Sequence, residues 1–195
     1  DLHSFPTRRS SDLNAARAEL TGVLRGAAGA VTVTVGNVWT PQGFDCAGGW
    51  SAVAVWAFDG PHPRAGPAQI TVYDTHLRVT GGNFGVSVRV PSLRPSGGGA
   101  RIGVIAYEGD WALAGDRFLV NGRDPDHTGN FFASFAEGRL DPSYPNNMSV
   151  DVRSVSVPED ALGPSTELTF SSGLDTYLVQ GIVVAIPVLD RKSVV

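Results

Sequence analysis

Apolar and polar residues alternate with a period of two along much of the chain, as in β-strands that bury one face. Val and Thr alternate over 31–35, and the run 50–58 is apolar on both sides, as in a strand covered by two layers. The later strand-like runs are QITVYDTHLRV, FGVSVRV, ARIGVIAYE, DRFLVNG, SVDVRSVSV, TELTF and TYLVQGIVVAIPV. Turn-forming residues separate them, with 24 Gly and 13 Pro in the chain. The pattern predicts an all-β fold: a two-sheet antiparallel β-sandwich, jelly-roll-like, with one or two short helices.

Helical spacing is confined to short stretches. Residues 14–29 place Leu20, Val23 and Leu24 at helical intervals and end in Gly, so we expect a short helix there. We expect further helical turns at 130–138 and at 158–162, where Pro158 suits the first helical position.

The strand 149–157 breaks its own alternation. Val150 and Val152 occupy even-numbered positions, whereas Val155 and Val157 occupy odd-numbered ones, so the two pairs would face opposite sides of a regular strand. A β-bulge at Arg153–Ser154 would return all four valines to one face. We therefore predict a bulge at that point.

The two ends of the chain lack any regular pattern. Residues 1–13 read DLHSFPTRRSSDL, and residues 190–195 read DRKSVV and contain Lys192, the only lysine. Both tails resemble translations of opposite strands of one common sequencing adapter. We therefore expect 1–13 to be a disordered scar, 190–195 a second scar, and 14–189 a single β-sandwich domain from a longer protein.

Composition excludes several classes of function. A formal net charge of −4 without lysine runs argues against nucleic acid as a partner. No run approaches the roughly 20 apolar residues needed to span a bilayer. Cys46 is the single cysteine, so the chain has no internal disulfide and no Cys/His zinc cluster.

Several segments in order resemble an uncharacterised all-β module of bacterial secreted and cell-surface proteins, of the actinobacterial type, that carry Ig-like repeats. These segments are GGWSAVAVWAFDGP, QITVYD, IGVIAYEGDWALAGDRFLVNG, NFFASF, PNNMSVDV and DTYLVQGIVVAIPV. The resemblance implies an extracellular or cell-surface location and no enzymatic activity. It supplies no catalytic residues.

One loop resembles the start of a calcium-binding loop. Asp124, Asp126, Thr128 and Asn130 supply oxygen atoms at alternate positions, with Gly129 at the tight turn, as an EF-hand-like site requires. The glutamate that normally closes such a loop is absent, and these residue types are also common in solvated turns. We carry calcium at this loop as a hypothesis; no other cofactor is indicated.

Carboxylates and aromatic residues offer two further alternatives. Glu108, Asp110 and Asp116 lie close in sequence and, as paired carboxylates, could act as a glycosidase acid and nucleophile, but acids at strand ends usually shape turns. Trp50 and Trp56 share one face of a predicted central strand, so we expect them in the core. Trp111 lies in a predicted loop and is the candidate for stacking on a sugar.

The interpretation that fits all these observations is a non-catalytic, extracellular structural or adhesive module that binds cell-surface or matrix components. The first alternative is a carbohydrate-binding module for glycans, with or without calcium. The second is a glycoside hydrolase or another hydrolase.

Overall fold

The chain divides into two units, Asp1–Trp50 and Ser51–Val195. The computed structural model describes residues 8–10, 13–27, 29–38, 48–62, 66–82, 84–91, 93, 98–137 and 149–188. In the first unit, β1 (Arg8–Ser10) pairs antiparallel with β2 (Leu13–Ala15), and helix α1 covers Thr21–Leu24.

The second unit contains two antiparallel sheets packed as a sandwich. Its strands are β3 (Ala68–Val79), β4 (Val86–Pro91), β5 (Ala100–Tyr107), β6 (Arg117–Val120), β7 (Val150–Val157), β8 (Ser165–Ser171) and β9 (Tyr177–Pro187). One sheet has the order β3-β9-β5-β7 and the other β4-β8-β6. A 3₁₀ turn, Glu159–Ala161, follows β7. The predicted two-sheet sandwich with short helical elements is confirmed.

Alternating burial along these strands builds the core between the sheets. In β8, Thr166, Leu168 and Phe170 are buried while their neighbours face outward. The interior is filled at one end by an aromatic core, in which neighbouring ring centroids lie 4.6–6.4 Å apart. Its members are Phe118, Phe131, Phe132, Phe170 and Tyr177.

The bulge predicted at Arg153–Ser154 is wrong. Strand β7 pairs with β5 in continuous register, with Val104 opposite Arg153 and Gly103 opposite Ser154. The valine phase changes because Asp151 occupies a fully buried position and Arg153 a largely buried one. Polar residues, rather than an extra residue, therefore account for the broken alternation.

Two predicted strands are wrong. Residues 31–35 and 50–58 form no strand, and their large apolar side chains are exposed. Trp50 and Trp56, expected in the core, are 54% and 76% exposed. Alternation can stabilise a strand only where a partner strand pairs with it, and no described strand pairs with either run.

The helical turn predicted at 130–138 is also wrong. Over the described part of that stretch, Phe131 and Phe132 enter the aromatic core, and Ala136 forms an isolated parallel bridge with Val152. Cross-sheet packing of the aromatic rings overrides the helical spacing. The turn predicted at 158–162 is confirmed, with Pro158 just before its first residue. The short helix expected within 14–29 is reduced to the four residues of α1.

Among the described residues, no helix has the length and apolar character that crossing a membrane requires.

Candidate functional site at the loop end of the sandwich

Four loops meet at one end of the second unit. They connect β3 to β4, β5 to β6, β6 to β7 and β8 to β9. Backbone hydrogen bonds join them: Gly115 N–H donates to Gly129 O (2.9 Å), Gly173 N–H to Gly115 O (3.2 Å) and Gly82 N–H to Gly173 O (2.9 Å). A Cβ at Gly81 would lie 2.7 Å from Leu174 O, so this close approach requires glycine. The four loops are therefore tied into one surface, which we call the loop end.

Unusual backbone geometry is found in the same loops. Glu108, His127, Ser134 and Ser149 have positive φ angles, which non-glycine residues rarely adopt. Residues hold this conformation only where their surroundings enforce it, and such positions gather at functional sites. These positions therefore mark the loop end as the candidate functional site.

Three buried carboxylates lie beneath the loop end, and we call them the carboxylate cluster. Asp116, Asp151 and Asp175 are 1%, 0% and 6% exposed. They come from distant parts of the chain: the β5–β6 loop, strand β7 and the β8–β9 loop. Burial of a carboxylate is energetically unfavourable unless hydrogen bonds or an opposite charge compensate for the lost water.

The compensation differs among the three carboxylates. Asp151 Oδ1 accepts backbone hydrogen bonds from Ala133 (2.9 Å) and Phe135 (2.8 Å). Asp175 accepts the N–H of Asp110 at 3.1 Å and that of Thr176 at 2.6 Å. Neither oxygen of Asp116, nor Oδ2 of Asp151, has a hydrogen-bond partner among the described residues.

The pKa values follow from this environment. Burial, together with the charges of Asp175, Asp151 and Asp110, raises the pKa of Asp116 to about 7, although the nearby Ser172 hydroxyl lowers it. Burial likewise raises the pKa of Asp151 to about 6, although backbone N–H groups oppose the shift. At neutral pH the carboxyl groups of the cluster are therefore only partly ionised.

Tyr177 connects the carboxylate cluster to the aromatic core. Its hydroxyl donates to Ser171 O at 3.2 Å. Burial, with Asp116 and Asp175 adding to it, raises the pKa of this phenol far above its usual value. Tyr177 is therefore a neutral hydrogen-bond donor next to the acids.

Arg153 organises the neighbouring part of the loop end. Its guanidinium forms ion pairs with Asp126 Oδ1 and Glu137 Oε1, each at 3.0 Å, and donates to Phe131 O at 3.0 Å. It also lies 5.0 Å from the centroid of the Phe131 ring. The ion pairs with Asp126 and Glu137 fix the β6–β7 loop against β7.

The predicted calcium loop is divided between two environments. Asp124 Oδ1 accepts the N–H groups of Asp126 and His127, both at 2.9 Å. Burial alone would raise the pKa of Asp124, but these backbone bonds lower it below its ordinary value. Asp126 is held by Arg153 and accepts the Thr128 hydroxyl. These three residues therefore build an ordinary turn, and calcium at this loop stays a prediction.

Asn130, the fourth predicted ligand, contacts the β5–β6 loop instead. Its Nδ2 donates to Asp110 O at 3.2 Å, and its buried Oδ1 has no partner among the described residues. Nor do the described residues gather three or more His, Cys, Asp or Glu side chains close enough to hold a metal by themselves. Any cation there would need amide or backbone oxygens as well as carboxylates.

The outer side of the loop end is apolar. Phe84, Trp111 and Leu174 are 76%, 68% and 77% exposed, and Leu113 is partly exposed. We call these four residues the loop-end surface. The Trp111 side chain is exposed, as its candidate role in stacking on a sugar requires.

Sequence reasoning missed Asp151, Arg153 and Asp175 as members of this site. The signal for the first two was the broken valine alternation in β7, which marks polar residues at inward positions. Asp175 follows a Ser-Ser-Gly-Leu turn and carries no signal that separates it from a solvated loop residue. Glu108, Asp110 and Asp116 were expected near one another. For Asp110 and Asp116 this agrees with the structure, because the charge of Asp110 raises the pKa of Asp116. Cys46 lies outside the described residues.

A shallow groove of about 560 Å³ is found at the other end of the sandwich. Its lining includes Pro67, Val157 and Pro187, where β3, β7 and β9 begin or end. It is therefore separated from the carboxylate cluster by the length of the strands.

Comparison with known proteins gives only a partial structural likeness. No protein-family model matches the chain, and no curated protein matches it. Two solved structures of BuGH86 in complex with neoagarooctaose, the wild type and a variant, are similar to it with a TM-score of 0.45 and 16–17% identity. Each match covers 61% of this chain and 18% of the BuGH86 chain, so this chain spans less than a fifth of those proteins.

Proposed function

We propose that the second unit is a non-catalytic binding module of a bacterial secreted or cell-surface protein, and that the loop-end surface contacts the partner. The observation that supports this most is the grouping of exposed Phe84, Trp111 and Leu174 on loops joined by backbone hydrogen bonds. Exposed apolar side chains gathered on a supported surface are typical of interaction sites. The sequence resemblance to modules of surface proteins supports the adhesive role and the extracellular location.

The position of the carboxylates favours binding over hydrolysis. A glycosidase needs two carboxyl groups that flank the substrate. Asp116 and Asp151 are 1% and 0% exposed, so a sugar chain at the surface does not reach them. Their unusual pKa values therefore count as features of the interior rather than as evidence of an acid–base pair.

The partner class that we favour is a protein component of a cell surface or matrix. The loop-end surface is apolar and its tips are large side chains on separate loops, which suits a pocket or ridge on a protein. The second candidate is a glycan, and it is favoured by one observation: Trp111 exposes its ring next to Asp110, whose carboxylate can accept sugar hydroxyls.

The experiment is a binding screen of the whole chain against immobilised matrix proteins and a glycan array, followed by variants. We expect Phe84→Ser with Leu174→Ser to abolish binding to the protein partner. Trp56→Ala is the matched control, because Trp56 is as exposed as Phe84 but lies outside the loop end. Loss of binding with Trp56→Ala and retention with the double variant would overturn the proposed surface.

The glycan candidate has its own outcome. If a glycan binds, Trp111→Ala should weaken it by roughly tenfold or more, as expected for the loss of an aromatic contact in a binding site. Glycan binding with Trp111→Ala unaffected would exclude the loop-end surface as the sugar site.

A further inference from the structure

We infer that a divalent cation of the calcium class binds beneath the loop end, held by Asp116, Asn130 and Asp151. This inference goes beyond the proposed function and does not depend on it. It places the cation inside the sandwich end rather than in the turn at 124–128.

The first argument is the chemistry of the unpartnered atoms. Among the described residues, Asp116 Oδ1 and Oδ2, Asn130 Oδ1 and Asp151 Oδ2 are buried and accept no hydrogen bond of normal geometry, although the Ser172 hydroxyl lies near Asp116. All four are acceptors. Buried acceptors normally find donors, so a group of them without donors indicates a site for a positive ion.

The second argument is that Asp151 and Asn130 both contact the segment Gly109–Asp110, and that Asp116 lies near enough to both Asp151 and Asp110 to feel their charges. A Cβ on Gly109 would lie 2.3 Å from Asp151 Oδ2, so that oxygen faces the Gly109 backbone. Asn130 Nδ2 binds Asp110 O at 3.2 Å. Phe131, the next residue, donates its N–H to Asp116 O at 2.9 Å, which brings the Asn130 and Asp116 backbones together.

The third argument is charge. The carboxylate cluster brings Asp116, Asp151 and Asp175 into the interior. Arg153 acts on Asp151, but its guanidinium is already shared by Asp126 and Glu137. A divalent cation would supply the missing positive charge where no side chain of the described residues does so directly.

The ligand types select the class of cation. Carboxylate and amide oxygens are hard ligands, which suit Ca²⁺ and Mg²⁺ rather than zinc or copper. Calcium accepts irregular sets of six to eight oxygens, including backbone carbonyls, and magnesium demands near-octahedral geometry. Two carboxylates and one amide from separate loops form an irregular set, so calcium fits better.

The consequence concerns the loop end. Asp116 lies in the β5–β6 loop that carries Trp111, and this loop is hydrogen-bonded to the β8–β9 loop that carries Leu174. A cation that bridges Asp116, Asn130 and Asp151 would lock these loops together. Calcium should therefore raise the thermal stability of the chain.

The test uses the whole chain, treated with EDTA and dialysed, then titrated with CaCl₂ alone and, in parallel, with MgCl₂ alone. Isothermal titration calorimetry gives the affinity, and thermal unfolding gives the Tm. We expect one calcium ion per chain, a rise in Tm with calcium, and weaker binding of magnesium. No binding of calcium at millimolar concentration, or an unchanged Tm on saturation, would overturn the inference.

Variants locate the site. Asp116→Asn should weaken calcium binding by roughly tenfold or more, because it removes a charged ligand. The same variant should fold, and should raise the Tm in EDTA, because it removes an unpaired buried charge. Asn130→Ala, which keeps all charges, should also weaken calcium binding.

Asp124→Asn is the matched control, since Asp124 belongs to the neighbouring turn and has the same chemistry. We expect it to leave calcium affinity unchanged within about twofold. The opposite result, with Asp124→Asn abolishing binding and Asp116→Asn preserving it, would move the cation to the turn and refute the buried site.

Discussion

Two regions that touch each other in the interior are stabilised in opposite ways. The aromatic core packs rings at centroid distances of 4.6–6.4 Å, and every ring adds apolar contact. The carboxylate cluster is buried as deeply, yet neither carboxylate oxygen of Asp116 accepts a hydrogen bond of normal geometry from the described residues. Tyr177 belongs to the first region and is influenced by the charges of the second. The aromatic core stabilises this end of the sandwich, and burial of the carboxylate cluster destabilises it.

The largest expected effect comes from the aromatic core. Phe170→Ala should lower the free energy of unfolding by about 3–5 kcal/mol, because it removes a fully buried ring that contacts Phe118 and Phe132 and leaves a cavity. Chemical denaturation followed by tryptophan fluorescence measures this. Phe84→Ala, at an exposed site, is the control and should change stability by less than about 0.5 kcal/mol. Equal losses in both variants would contradict the division into core and loop end.

The same contrast explains which parts of the fold the sequence predicts. Leu168 and Phe170 alternate with polar residues, so the pattern assigns β8 and its inward face correctly. It fails at 31–35 and 50–58, because alternation cannot reveal whether a partner strand is present. It also misses Asp151, because a buried carboxylate contradicts the rule that inward positions are apolar. The place of Asp175 in the carboxylate cluster could not be predicted from the sequence, because only the folded chain brings Asp175 near Asp110.

A second, smaller effect is expected from Arg153, which lies between the two regions. Arg153→Met keeps most of the apolar stem but leaves Asp126 and Glu137 without their cation and Phe131 O without a donor. We expect a loss of about 2–3 kcal/mol, as for hydrogen bonds that involve charged groups. The loss should shrink if Asp126→Asn and Glu137→Gln are added. A loss unchanged in the triple variant would show that contacts with Phe131, through its carbonyl oxygen or its ring, and not the two ion pairs, are the cause.

The third prediction concerns how the free energy of unfolding depends on pH when EDTA has removed divalent cations. The pKa of Asp116 is raised from 3.8 to about 7 in the folded state, so the folded chain binds more protons than the unfolded chain between those values. Stability should therefore fall as the pH rises through this window and level off above about pH 8. From about pH 5 to pH 8 we expect a loss of roughly 2 kcal/mol from this group, taking about 1.4 kcal/mol per pKa unit and discounting for relaxation.

The variant that checks this pH dependence is Asp116→Asn, which cannot titrate at that position. Thermal unfolding across the same pH range should show a much shallower decline than in the unmodified chain. Identical slopes would mean that Asp116 is not the titrating group and would leave Asp151, whose pKa is raised to about 6, as the group responsible.

The smallest effect is expected from an ion pair outside both regions. Arg123 donates to Asp160 at 2.8 Å, a contact as short as those of Arg153, but both side chains are largely exposed. Hydrogen bonding and charge from Arg123 lower the pKa of Asp160, yet water and salt screen an exposed pair and side-chain entropy opposes it. Arg123→Ala should leave the Tm unchanged within measurement error, whereas Arg153→Met should lower it clearly. Because the pair distances are so similar, a difference between the two variants would show that burial, and not contact geometry, decides how much an ion pair contributes to the stability of the fold.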